Sequence, residues 1–238
     1  MDWSDRLGLF APLDFAALAA LLGLWLLIGW LIEHSGRRPS VSRLVTQYRR
    51  DWMVQMVTRQ PRIFDAQTLA TLRQGTTFFA SATMIAIGGA LAMIGNADRL
   101  TGLANALTLE SDPPFVWEVK VLTITGFLTN AFLKFVWSHR LFGYCAVLMA
   151  ATPNDPEDPD AQSRAGQAAD LNIFAARSFN QGLRSIYFAL GTTAWMLGSE
   201  ALIAAAALTF AVLWRREFAS QSRKVLMESH AHRSDTSS

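Results

Sequence analysis

The sequence predicts an all-α polytopic membrane protein with about five transmembrane helices and one interfacial amphipathic helix. Hydrophobic residues make up 51% of the 238 residues and charged residues 17%, against roughly 25% charged residues in an average soluble domain. The apolar residues form several windows that reach the roughly 20 residues needed to cross a bilayer. Four or more such windows leave no room for a separate soluble domain, so residues 1–220 are expected to form a single helical bundle.

The first span covers about residues 13–32, and a strongly basic loop follows it. Lys and Arg close to spans are retained on the cytoplasmic side, so this loop is expected in the cytoplasm, with the N-terminus outside. The net charge of +2 is explained by this bias and by attraction to anionic lipid headgroups, and nucleic-acid binding is not expected. The loop has two acids, Asp51 and Asp65, and eight arginines: Arg37, Arg38, Arg43, Arg49, Arg50, Arg59, Arg62 and Arg73.

Residues 41–57 of this loop have the period of an amphipathic helix. Such a helix could lie in the headgroup region with its arginines toward phosphate, or it could pack on the cytoplasmic ends of the spans. Pro61 ends the segment because proline lacks an N–H group, and a second helix is expected to start near Phe64. The apolar positions are Val41, Leu44, Val45, Tyr48, Trp52 and Met56.

The second span, about residues 75–94, is rich in small residues. Ser81, Gly88 and Gly89 lie in rows that would allow close helix packing, so this span is expected to be the buried centre of the bundle. The next loop, residues 96–115, has one basic residue and is expected outside. The third span, about 117–137, carries Asn130 and Lys134 one turn apart.

Asn130 and Lys134 could line a polar path, because buried ionisable groups often mark function in membranes. Alternatively, Lys134 could extend its amine to the cytoplasmic interface, and Asn130 could bond to another helix.

The last apolar region separates two topologies. Residues 185–214 contain one charged residue, Glu200, and one helix of that length would be about 45 Å long, well over the roughly 30 Å hydrocarbon core. A hairpin turning at residues 197–200 divides it into spans of about 181–197 and 201–214. Five spans place the basic tail in the cytoplasm, whereas four would place it outside, against the charge rule. The tail, residues 221–238, is expected to be disordered.

Polar residues near the cytoplasmic ends form the candidate site. Arginines with amide groups at a helix start suit phosphate or lipid headgroup recognition, but the favoured alternative is an internal ion-pair network that ties the loop to the bundle. The residues are Arg59, Arg62, Asp65, His139, Arg140, Asn180, Gln181 and Arg184.

Cofactor and catalytic signals are sparse. His34 and His139 both follow spans, and two histidines on facing helices could ligate a haem iron or a pigment. The alternative is two interfacial histidines with no ligand, and no cofactor is expected. The single cysteine, Cys145, excludes an intrachain disulfide and a cysteine-based metal site. No catalytic motif is present, so an enzyme is not expected.

Five segments carry a family resemblance: RQPRIFDAQTL (59–69) leading into the second span, WEVK (117–120), FLKFVWSHRLFGYC (132–145), FNQGLRSIYFALG (179–191) and LWRREF (213–218). In these segments the chain resembles domain-of-unknown-function family 599, a group of bacterial and plant membrane proteins, over roughly residues 35–220. The resemblance implies a multi-span helical protein, but it implies no activity and no catalytic residue.

The function expected from the sequence is therefore that of a non-catalytic integral membrane protein. It would be an accessory, assembly or scaffold subunit of a larger complex in the bacterial inner membrane, with other membrane subunits as partners. The alternatives are a small transporter or channel and, less favoured, a haem-binding, pigment-binding or lipid-modifying protein.

Overall fold

A computed structural model of the chain describes residues 6–36, 38–94 and 113–235. The long elements of this part are all helices, and a five-residue 3-10 helix, Thr193–Leu197, precedes the sixth of them. The predicted outside loop lies almost wholly outside the described residues, as does Arg37. The helices are α1 (Pro12–His34), α2 (Val41–Thr58), α3 (Ile63–Ile94), α4 (Pro114–Ala151), α5 (Pro159–Thr192), α6 (Ser199–Phe218) and α7 (Gln221–Asp235).

Three of the described helices are long and apolar enough to cross a bilayer: α1, α3 and α4. The predicted all-helical membrane protein is therefore confirmed at this level. The first three predicted spans fall within these three helices, each of which extends beyond the predicted segment. The helix predicted to restart near Phe64 begins at Ile63 and continues without interruption into the second span.

The chain divides into two compact units, both assembled from distant parts of the sequence. The first unit comprises Met1–Gly29, Ser81–Phe132 and Leu183–Leu213. The second unit comprises Trp30–Ala80, Leu133–Gly182 and Trp214–Ser238.

Aromatic and aliphatic side chains fill the interior of the first unit. Phe127 of α4 meets Trp25 of α1 edge-on, with ring centroids 5.4 Å apart, and stacks on Phe188 of α5 at 6.2 Å. Packing of this kind supplies much of helix association in lipid, where there is no hydrophobic driving force between helices. Other fully buried residues of this interior are Ala17, Leu21, Ile28, Leu202 and Ala206.

The predicted hairpin break is present at Gly198. Its φ of +120° is a backbone conformation that glycine adopts far more readily than other residues, and it separates the 3-10 turn from α6. Asp14, in the first turn of α1, holds this turn in place. Its carboxylate accepts a 2.8 Å hydrogen bond from the Trp195 indole and another from the Ser199 hydroxyl.

The core of the second unit explains the position of the amphipathic helix. α2 buries Leu44, Met53, Met56 and Val57, and the last three belong to one hydrophobic cluster with residues of α3, α4 and α5. Of the predicted apolar positions, Leu44 and Met56 are buried, whereas Trp52 is only partly covered. The contacts therefore favour the helix packed on the protein over a helix that meets lipid alone.

The prediction that the second span is the buried centre of the bundle is wrong. Only 6% of the most apolar window of α3 is buried, and Ser81, Gly88 and Gly89 are all exposed. Small residues show where a close approach is sterically allowed, but they do not identify the approaching helix. The buried hydrophobic residues of the first unit come instead mainly from α1, α4, α5 and α6, and α3 contributes only Thr83 and Ala90 to its buried residues.

The tail also differs from the prediction. Residues Gln221–Asp235 form the helix α7 where disorder was expected. The Ser220 hydroxyl accepts a hydrogen bond from the Arg223 backbone N–H, which caps the helix start. The Arg223 side chain donates to the Pro39 carbonyl, and α7 contacts α2. These tertiary contacts outweigh a polar composition that by itself indicates disorder.

Candidate functional site

Asp65, at the start of α3, is the centre of one polar network in the second unit. Its side chain is fully buried. Its Oδ1 accepts a 2.7 Å hydrogen bond from the Trp52 indole and forms an ion pair with Arg59. The Arg59 guanidinium also lies over the Phe64 ring, 5.5 Å from its centroid. A carboxylate in the first turn of a helix is favoured by the helix dipole, so this network fixes α2 to the beginning of α3.

Arg62, three residues before Asp65, turns toward the end of α4 instead. Its terminal nitrogens donate to the carbonyls of Thr152 and Pro153 at 2.7 and 2.6 Å, and longer contacts of 3.4 Å reach Met149 and Val57. The last carbonyls of a helix lack partners within the helix, and a positive charge there is stabilising. Arg62, in the turn just before α3, therefore holds the carbonyls at the end of α4.

Asn180 and Gln181 of α5 bind acidic and hydroxyl partners. Gln181 donates to the Glu33 carboxylate at 2.8 Å. Asn180 donates to the Ser42 hydroxyl at 3.4 Å, and Ser42 in turn donates its hydroxyl and its backbone N–H to Glu217 at 3.0 and 3.1 Å. These bonds join α5 to the end of α1, the start of α2 and the end of α6.

The structure thus does not collect the predicted polar residues around one ligand. Arg59 and Asp65 share one network, Arg62 holds the end of α4, and Asn180 and Gln181 have the partners just described. Arg184, which the sequence grouped with the amides, belongs to the first unit and is buried there.

The two histidines have partners close to them in the second unit. The Nδ1 atom of His139 lies 3.2 Å from the hydroxyls of Thr76 and Thr77 on α3. The Nδ1 atom of His34 lies 3.2 Å from the Trp30 carbonyl, and its ring stacks on the Trp30 ring at 5.6 Å. These contacts orient both rings, and the haem or pigment hypothesis stays a prediction.

Two further predicted residues also have defined surroundings. Arg140 donates its Nε to the Tyr144 hydroxyl at 2.5 Å on the exposed side of α4. In the first unit, Asn130 donates to the Ser185 hydroxyl at 2.7 Å, so its amide joins α4 to α5. Lys134, one turn after Asn130, belongs to the second unit and is half-buried.

One polar chain was missed by the sequence analysis. Arg49 of α2 donates to Asn172 of α5, and Asn172, which is fully buried, donates to the Cys145 thiol at 3.7 Å. Burial lowers the pKa of the Arg49 guanidinium. The sequence signal that could have identified Asn172 is a row of alanines on α5, at positions 161, 165, 168, 169 and 175. The structure buries these alanines, and Asn172 is buried among them.

The polar contacts described above join helices and turns of the chain to one another. Among the residues whose side chains the structure describes, which end at residue 228, no three His, Cys, Asp or Glu residues lie close enough together to hold a metal ion. The buried carboxylate of Asp65 is held by an arginine and an indole, whereas a general acid or base needs an accessible substrate. Asp65 therefore serves as an acceptor that joins α2 to the start of α3.

Comparisons with known proteins identify a family but no function for it. No curated protein is similar enough to match the sequence, and no solved structure matches either. A sequence profile described as "Protein of unknown function, DUF599" matches residues 16–222, which confirms the family resemblance noted in the sequence. The chain therefore belongs to the DUF599 family.

Proposed function

We propose that this protein is a non-catalytic integral membrane protein that serves as an accessory, assembly or scaffold subunit of a larger membrane complex. The main support is the exposed surface of α3, whose apolar window is 6% buried, against 22% for α1 and 33% for α4. Most of the predicted polar residues form hydrogen bonds or ion pairs with other parts of the same chain, and this agrees with a structural role.

The outward surface of α3 has the composition of a helix-packing surface. Ser81, Ile85 and Gly89 lie at successive four-residue steps, and Gly88 lies beside them. All four residues are exposed, and no atom of the described residues lies within 4 Å of a Cβ built on either glycine. Small residues allow two helix backbones to approach closely in lipid. A helix of a partner subunit could therefore form van der Waals contacts with this surface, which in a single copy of the chain would face lipid.

The proposed topology has five spans in the bacterial inner membrane, with the N-terminus outside and the C-terminus in the cytoplasm. Besides the three long apolar helices, it counts the second half of α5 and α6 as a hairpin. The break at Gly198 supports this count, as does the close approach of Gly191 to Thr209, whose hydroxyl lies 3.0 Å from a Cβ built on that glycine. The positive-inside rule supports the orientation.

The test is gentle solubilisation of the full chain from its native membrane, followed by identification of the proteins that co-purify. Gly89→Leu on α3 should reduce the yield of a specific membrane partner severalfold. Gly23→Leu on α1 is the matched control, because Gly23 is also an exposed helical glycine with no atom within 4 Å of a built Cβ. Migration of the wild-type protein alone, without a stable partner, would contradict the proposal.

A further inference from the structure

The second unit contains a groove that none of the networks described above fills. It lies between α3 and α4 beside the end of α2, and it encloses a cavity of 320 Å³. Four alanines are among the residues that line it: Ala66 and Ala70 on α3, and Ala146 and Ala150 on α4. Because these side chains end at Cβ, the two helices leave a slot at positions where leucines would close it.

The polar groups of the groove are cationic or neutral. Arg62, Arg73 and Asn154 line it, and no acidic residue is among the described residues that line it. Arg62 stands in the turn just before α3, and Arg73 lies ten residues after Ile63, about 15 Å along the axis of α3. The groove thus carries two positive charges that no carboxylate in its wall neutralises.

Arg73 has no side-chain partner among the described residues. Among the described residues, its guanidinium has no hydrogen bond and no ion pair, and its Nε is buried without an acceptor. The Nε of Arg62 is likewise buried and without an acceptor, although the terminal nitrogens of Arg62 hold the carbonyls at the end of α4. A buried donor left unsatisfied is unfavourable, and more so when it is charged.

The position of Arg73 along α3 indicates the kind of anion. Arg73 is the last charged residue before the long uncharged stretch of α3, residues 74–94. Phe78, little more than one turn later, is 66% exposed, as expected of a side chain that faces lipid. The Arg73 end of the groove therefore adjoins the beginning of the hydrocarbon region, at the depth of phospholipid phosphates.

We propose that this groove binds the phosphate group of an anionic phospholipid. Arg73 donates to the phosphate oxygens, since a guanidinium matches phosphate in both charge and geometry. Arg62 holds a second positive charge in the groove while it caps α4, and the alanine walls admit the apolar part of the lipid next to its head. This site is separate from the packing surface of α3 proposed above, and either proposal can fail without the other.

The test uses the purified full-length protein in mixed micelles that contain either phosphatidylglycerol or phosphatidylcholine. Bound lipid is counted by native mass spectrometry over a concentration series. We expect wild-type protein to retain phosphatidylglycerol selectively. Arg73→Gln should weaken that binding by about tenfold or more, since a hydrogen bond to a charged group contributes about 1.5–3 kcal/mol.

Two further variants separate a specific groove from diffuse attraction. Ala70→Leu leaves every charge in place but fills the slot, and it should also weaken binding. Arg50→Gln is the matched control, because Arg50 is exposed and pairs only with the exposed Asp170 at 3.3 Å, and it should bind as the wild type does. Melting temperatures without lipid establish that each variant is folded, and Arg73→Lys replaces Arg73→Gln if that variant does not fold.

Three outcomes would overturn the proposal. The first is undiminished phosphatidylglycerol binding by both Arg73→Gln and Ala70→Leu. The second is an equal loss with Arg50→Gln, which would indicate nonspecific attraction to a basic surface. The third is that inorganic phosphate alone raises the melting temperature as much as phosphatidylglycerol does. That result would assign the groove to a soluble anion.

Discussion

Phe135 of α4 packs the edge of its ring against the backbone of Gly182 on α5. A Cβ built on Gly182 would lie 2.7 Å from Cε1 of that ring and 2.9 Å from Cζ. Phe135 is fully buried, and its ring centroid lies 5.4 Å from those of Phe79 and Phe179. The aromatic cluster of the second unit therefore depends on the absence of a side chain at one position of α5.

Gly182→Ala is expected to destabilise the protein by about 1–3 kcal/mol, the usual cost of overpacking a close-packed core. The Phe135 ring is held by two other aromatic rings, so it cannot move away without disturbing both. In a chain of this size a change of 1 kcal/mol shifts the melting temperature by about 2–4 °C, so thermal unfolding in detergent will resolve the loss.

Gly166→Ala is the matched control for that measurement. Gly166 lies on the same helix, is exposed, and has no atom within 4 Å of a built Cβ. Alanine is favoured over glycine inside a helix by about 0.5–1 kcal/mol, so this variant should be slightly more stable than the wild type. Equal destabilisation by both variants would contradict the packing explanation.

The network around Asp65 predicts a second stability difference. Asp65→Ala removes the acceptor of both Trp52 and Arg59, and it should cost about 2 kcal/mol, within the range for hydrogen bonds to charged groups. The Arg59 side chain is 36% exposed, so water compensates part of the loss. Asp65→Asn should cost less because its amide oxygen can still accept from Trp52.

The exposed pair of Arg50 and Asp170 gives the corresponding control. Their side chains are 58% and 56% exposed, and exposed ion pairs contribute about 0–1 kcal/mol. Asp170→Asn should therefore leave the melting temperature nearly unchanged. Comparable losses for Asp65→Asn and Asp170→Asn would show that burial of Asp65 does not strengthen its contacts.

The sequence was most informative where backbone chemistry decides the structure. Pro61 separates α2 from α3, and Gly198 ends the 3-10 turn with a positive φ; both breaks follow from properties of single residues. The helical type of the first three spans likewise follows from the apolar windows, although each helix extends beyond its window. These local signals explain why the order of the helices could be predicted.

The sequence was least informative about which helix face is inside. In soluble proteins, hydrophobic residues mark the interior, but in lipid both faces of a span are apolar. The small-residue face of α3 was therefore placed in the centre, whereas Gly88 and Gly89 are exposed. The polar partners were equally unpredictable, because Gln181 with Glu33 and Arg62 with Thr152 join residues far apart in the chain.

The number of spans can be tested by labelling from one side of the membrane. Glu200 and Gln221 are both exposed, and Cys145 is buried, so single cysteines at these two positions can be read against a low background. With five spans, Glu200→Cys should react with a membrane-impermeant maleimide on spheroplasts. Gln221→Cys should react only after the membrane is permeabilised.

The alternative topology, with a single span from α5 through α6, predicts the opposite labelling pattern. Residue 221 would then be outside and labelled without permeabilisation, and residue 200 would lie within the bilayer and stay unlabelled. The charge argument for a cytoplasmic tail depends on Arg215, Arg216, Arg223 and Lys224. Labelling of Gln221→Cys on closed spheroplasts would therefore reverse the proposed orientation of the tail as well as the count.

The hydrogen bond between Asn130 and Ser185 separates the structural interpretation of Asn130 from the transport alternative. A double-mutant cycle with Asn130→Ala and Ser185→Ala should give a coupling of about 0.6 kcal/mol, the average for side-chain hydrogen bonds between membrane helices. The hydrogen bond is 2.7 Å long and Ser185 is fully buried. A coupling of zero would therefore contradict the structural role. If Asn130 lined a solute path instead, Asn130→Leu would abolish flux into proteoliposomes and Ser185→Ala would leave it intact, because only the first removes the polar group on the path.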